Sequence, residues 1–126
     1  MAWKRVICFL FLISSITQAD EINLTKIVSL DEPWGSSFIN EDELILTEKE
    51  GKIKIVNFKN NEILNVEHNL NFLVYGQGGL LDIIYKDEFL WISYSENRGN
   101  WKSSTSIAKA RLNKNKLSFS NIFRAE

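Results

Sequence analysis

From Trp34 onward the chain alternates short apolar runs with clusters of turn residues, and no stretch sustains a helical period. The pattern predicts eight strands in two sets. The first set is 34–39 (WGSSFI), 43–47 (ELILT), 52–57 (KIKIVN) and 62–66 (EILNV). The second is 80–85 (LLDIIY), 89–95 (FLWISYS), 105–112 (TSIAKARL) and 117–123 (LSFSNIF). Ile53 and Ile55 alternate with Lys52 and Lys54, and Leu117 and Phe119 with Ser118 and Ser120. Such strands are expected to bury one face and wet the other. The segments 40–42, 48–51, 59–61, 86–88 and 113–116 have hairpin length and turn composition. The sets are offset by 46 residues, from Trp34 to Leu80. Four antiparallel strands repeating at that spacing predict an all-β fold of β-propeller type, with about two blades present. A β-sandwich also accommodates short, evenly spaced strands. Recurrence of strand lengths and turns in the same order favours the propeller.

Loop lengths then distinguish the two ends of the strands. The long connections, 67–79 and 96–104, fall at one end, and four short turns (40–42, 59–61, 86–88, 113–116) fall at the other. Long loops gathered at one end of a rigid scaffold are the expected place for function.

Composition narrows the classes. Of the 126 residues 44% are apolar and 25% charged, as in a soluble globular protein. A net charge of −1 offers no footprint for nucleic acid. The lone Cys8 excludes a disulfide framework and a cysteine-built zinc site. Residues 1–19 carry the layout of a secretory signal peptide: Lys4 and Arg5, the apolar run VICFLFLI at 6–13, then small residues up to a cleavage point near Ala19–Asp20. The apolar run is far below the ~20 residues that span a bilayer, so no membrane anchor is expected. The expectation is an exported protein, periplasmic or secreted, with residues 20–126 as its propeller domain.

The loops carry the candidate chemistry. In Tyr75-Gly-Gln-Gly-Gly-Leu-Leu-Asp82, glycines flank Gln77, which lets the backbone turn sharply and approach a ligand. An amide both donates and accepts, which suits a sugar hydroxyl or a cofactor carbonyl. Gln77 is the substrate- or cofactor-facing candidate, supported by Gly76, Gly78 and Gly79; a plain tight turn with an exposed polar tip is the alternative. Arg98 and Trp101, with Lys102, are weaker candidates in the second loop, by charge and stacking. His68, the one histidine, has no evident partner and reads as a surface residue of the long loop. Asp82 and Glu96 stand isolated and do not form an acid–base pair in sequence. No zinc or calcium-loop spacing is present.

Three segments, SLDEPWGSSFI (29–39), YGQGGLLDIIY (75–85) and LWISYSE (90–96), in this order and spacing, resemble the soluble glucose/sorbosone dehydrogenase family. The resemblance covers about residues 24–126. It implies a six-bladed propeller that binds pyrroloquinoline quinone (PQQ) with calcium beside it. The implied reaction passes hydride from the anomeric carbon of an aldose to the quinone, while a histidine takes the hydroxyl proton and a separate electron acceptor reoxidises the cofactor. It also implies that Gln77 lies in the pocket and that residues 23–30 form a closing strand. The family's catalytic histidine, cofactor-binding cations and calcium ligands lie in later blades. His68 does not match the catalytic position. The expectation is therefore an N-terminal portion of such an enzyme, inactive alone and with open strand edges. A non-enzymatic propeller that binds carbohydrate or a protein is the competing expectation.

Overall fold

The computed structural model describes residues 22–126, and every regular element among them is a β-strand. β1 (Pro33–Phe38), β2 (Glu43–Glu48), β3 (Ile53–Asn57) and β4 (Glu62–His68) form an antiparallel meander. β5 (Leu80–Lys86), β6 (Phe89–Asn97), β7 (Ser103–Arg111) and β9 (Ser120–Arg124) form the second sheet in the same order. Between β7 and β9 in sequence, β8 (Lys116–Leu117) crosses back and pairs in parallel with the end of β4. The expected all-β arrangement of two successive four-stranded units is the one observed.

The core lies between the sheets. Ile45, Ile53, Ile55 and Val66 of the first pack with Leu80, Ile83, Leu90, Ile92 and Tyr94 of the second, and Ala108 and Ala110 keep β7 close. Burying one aliphatic side chain contributes about 1.5–3 kcal/mol, so this seam fixes how one sheet sits on the other. β6 shows why its residues make a strand: Leu90, Ile92, Tyr94 and Glu96 are buried, and the residues between them are half-exposed. The two-residue turn at Asp87 and Glu88 has φ of 50° and 65°, the left-handed pair whose twist matches a tight hairpin.

Several expectations change. The run 117–123 is not one strand: Leu117 belongs to β8, Phe119 is buried outside any strand, and pairing with β7 begins at Ser120. Asn69 causes the break, because its side-chain oxygen accepts from Phe119 N (2.7 Å) and its amide donates to Phe119 O (3.1 Å). The loop expected at 96–104 shrinks to the five residues 98–102, since β6 runs to Asn97 and β7 starts at Ser103. β3 is covered on both faces, so Lys54 is buried rather than wet. His68 is the last residue of β4, half-buried and hydrogen-bonded through both ring nitrogens, not a free surface residue. Residues 23–30 show no strand and lie largely exposed; the closing strand implied there has no neighbour among the described residues. The segment read as a signal peptide lies outside the described residues. No described helix is long and apolar enough to cross a membrane.

Candidate functional site

The Gln77 loop is built on the upper end of β6. Phe72 bridges to Glu96, Leu73 N–H donates to Ser95 O (2.9 Å), and Asn97 N–H donates to Asn71 O (3.0 Å). The chain then turns, with Gly78 N–H donating to Tyr75 O (2.8 Å), and returns so that Ser95 N–H reaches Gly79 O (2.9 Å). Gly76 and Gln77 occupy the apex of this turn, and both are exposed. Gly76 has φ of 56° with open space around it, whereas Gly78 lies against Ser95 and the Tyr75 carbonyl. Gly79 is buried at φ of 144°, where a Cβ would collide with the Lys49 carbonyl oxygen. The alternation of glycines therefore does two jobs: Gly76 turns the chain, and Gly79 lets it pass the β2–β3 turn. Gln77 is left with its amide in solvent at the tip of a braced loop.

Arg98 and Trp101 lie on the neighbouring hairpin. Asn100 and Trp101 form its centre at φ of 51° and 60°, closed by Lys102 N–H to Gly99 O (3.0 Å). Trp101 is 84% exposed in a backbone region where a bulky side chain is unusual. Arg98 is committed elsewhere: its Nη2 lies 3.2 Å from Glu96 Oε2, 3.3 Å from Ser106 Oγ and 3.1 Å from Ala125 O.

Glu96 is the centre that sequence reasoning missed. Its carboxylate is buried and accepts from Arg124 through both Nε and Nη2, from Ser106 Oγ (2.6 Å) and from Asn121 Nδ2 (3.1 Å). The paired Arg124 guanidinium, with help from Ser106 and Arg98, outweighs burial and holds the carboxyl at about 2. Tyr94 O–H donates to Asn121 Oδ1 (2.7 Å), and burial pushes its phenol up. Tyr94, Glu96, Asn121 and Arg124, with Asn69 and Phe119, line a cleft of about 460 Å³. An ionised carboxylate so fully engaged holds the sheet together and is not a general base.

A second buried pair stands at the end of β2. Glu48 Oε1 accepts from Lys54 Nζ (2.7 Å) and Asp31 N–H (2.8 Å), while Oε2 has no hydrogen-bond partner among the described residues. Lys52 Nζ is 3.8 Å from that oxygen. Among the described residues no group of three or more His, Cys, Asp or Glu is placed to hold a metal ion, so no side-chain cluster of that kind stands ready for the calcium implied by resemblance. Arg98, the cation nearest in sequence to the Gln77 loop among the candidates, is already paired with Glu96. Among the described residues these candidates do not by themselves form a site for a quinone with its metal.

Residues 30–126 match the family model described as Glucose / Sorbosone dehydrogenase. The chain is 27% identical over 89 residues to aldose sugar dehydrogenase YliI of Escherichia coli (strain K12), an overlap of 66% of this chain and 24% of that protein. Its structure is similar to the soluble aldose sugar dehydrogenase of Escherichia coli in the apo form, with 26% identity, a TM-score of 0.68, and coverage of 75% of this chain and 30% of that one. It is also similar in fold to the PQQ-bound form of an aldose sugar dehydrogenase from Streptomyces coelicolor, at 19% identity, a TM-score of 0.67, and coverage of 77% and 31%. The chain thus spans less than a third of the length of each of these relatives.

Proposed function

Because the chain belongs to the glucose/sorbosone dehydrogenase family, we propose that it supplies the first two blades of an exported quinoprotein that oxidises aldose sugars at the anomeric carbon. The observation that carries this reading is the family match running through the Gln77 loop, whose amide stands exposed at the apex of a turn fixed from both sides. In this reading Gln77 orients the sugar, its NH₂ donating to one hydroxyl oxygen and its carbonyl accepting from another. PQQ, which the resemblance implies, would supply the hydride-accepting carbonyl. By the resemblance, the groups that would bind it, its calcium and the proton-accepting histidine would lie in later blades. Export is supported by the signal-peptide layout of residues 1–19.

The experiment is a chimera in which residues 30–126 replace the matching segment of the Escherichia coli aldose sugar dehydrogenase. Loaded with PQQ and calcium, the chimera is expected to reduce dye in the presence of aldose. Gln77→Ala in the chimera is expected to lower kcat/KM by about tenfold or more, the loss of one or two positioning hydrogen bonds. A folded, quinone-binding chimera with no aldose-dependent turnover would overturn the proposal.

A further inference from the structure

Both ends of the Gln77 connection are tied to one short turn of the first sheet, between β2 and β3. At the leading end, His68 Nε2 lies 2.7 Å from Gly51 O, and Leu70 N–H points at His68 Nδ1 (3.2 Å). A backbone N–H can only donate, so Nδ1 accepts and the ring proton sits on Nε2, where it is donated to Gly51. Phe72 then lays its ring against Gly51, whose φ of 102° and missing Cβ leave room for it, and stacks obliquely on His68 at 5.9 Å. At the trailing end, Leu80 N–H donates to Lys49 O (3.1 Å), the same oxygen against which Gly79 is pressed.

The turn that receives these contacts is itself held rigidly. Glu48 N–H donates to Lys52 O (2.8 Å), Gly51 N–H to Glu48 O (3.0 Å), and Lys49 N–H to Glu32 O (3.1 Å). Beneath it, the Glu48 carboxylate is buried with Lys54. The Gln77 loop therefore has a frame outside its own sheet, and His68 closes that frame at the point where the connection leaves β4.

We infer that His68 is a positioning residue: as a neutral imidazole with its proton on Nε2, it joins the Gly51 carbonyl to the Leu70 amide and so sets where the Gln77 amide is presented. The inference rests on the reading of Gln77 as a sugar-facing group, but its geometry can be tested without any turnover.

The test is site-resolved amide hydrogen exchange on the full chain, comparing the parent with His68→Ala and His68→Gln. His68→Ala is expected to speed exchange at Leu70, Gly78 and Leu80 by about tenfold, with Phe58 and Leu112 at the opposite end changing by less than about twofold. His68→Gln keeps a donor within reach of Gly51, so Leu80 is expected to return toward the parent rate while Leu70 stays fast. Nitrogen-correlated spectra of the parent should show the proton on Nε2 and none on Nδ1. The inference is overturned if Gly78 and Leu80 keep their parent rates in His68→Ala, if all five amides rise together, or if the ring carries its proton on Nδ1. Failure of the chimera assay with these exchange results intact would reject the sugar reading and leave the positioning role standing.

Discussion

Gly79 does what no other residue can do at its position. Its φ of 144° is closed to L side chains, and the atom a Cβ would strike is a backbone oxygen, Lys49 O, which cannot rotate away. Gly79→Ala should therefore cost about 1–3 kcal/mol of stability, the range for a residue forced into a sparsely populated region. Urea unfolding of the two chains at neutral pH measures it, and Gly76→Ala, with open space around it, serves as the comparison. An equal or smaller loss at Gly79 would show that the turn yields. The sequence announced a glycine-lined turn around Gln77, because two flanking glycines have few other uses. Which glycine carries the steric demand was hidden, since the obstructing oxygen comes from the other sheet and only the packed structure brings it there. The same holds for Lys54. Its place between Ile53 and Ile55 suggested a wet face, and only the carboxylate of Glu48 across the ladder makes its burial tolerable.

At the level of elements, β6 is the spine of the second sheet and Glu96 is its clasp. The carboxylate gathers β7 through Ser106 and β9 through Asn121 and Arg124. The folded carboxyl titrates at about 2, below its ordinary 4.5, so its contribution is complete above pH 4.5 and drains away as pH falls toward 2. Glu96→Gln is expected to lower stability by about 2 kcal/mol at pH 7, as for a lost charge-assisted hydrogen bond. The gap between parent and variant should narrow at pH 3. A gap of constant size across that range would show that the ionised form is not what holds the strands. None of this could be read from the chain, where Glu96 and Arg124 are 28 residues apart. Their meeting depends on the β6–β7–β9 register, including a shift between Ile107 and Ala108. Strand existence, by contrast, was legible from alternation and turn residues. Strand ends were not, because hairpin β6–β7 prolongs itself through Ser, Thr and Asn side chains that carry no apolar signal.

The described residues form two sheets that leave apolar surface facing outward. On the second sheet Ile84, Trp91 and Ile107 surround an apolar recess of about 370 Å³, and Ile122 and Phe123 stand half-exposed on the β9 edge. Open edges with apolar side chains invite pairing between copies. The chain by itself is expected to self-associate as its concentration rises, and Ile84→Lys with Ile122→Lys to reduce that association, as light scattering across a dilution series would report. A monomer at every concentration would contradict the expectation. The stitch between the sheets has a further consequence, which concerns time. The outer strand β4 gains its neighbour β8, and Asn69 its partner Phe119, only after 50 more residues of chain have been made. At roughly 5–20 residues per second a ribosome needs about 3–10 s to deliver them. During that interval the first sheet waits with its border unclosed, and the loop that finally shuts it is long enough to make the step entropically slow. Chaperones would have their opening then: the first sheet is made well before the residues that border it.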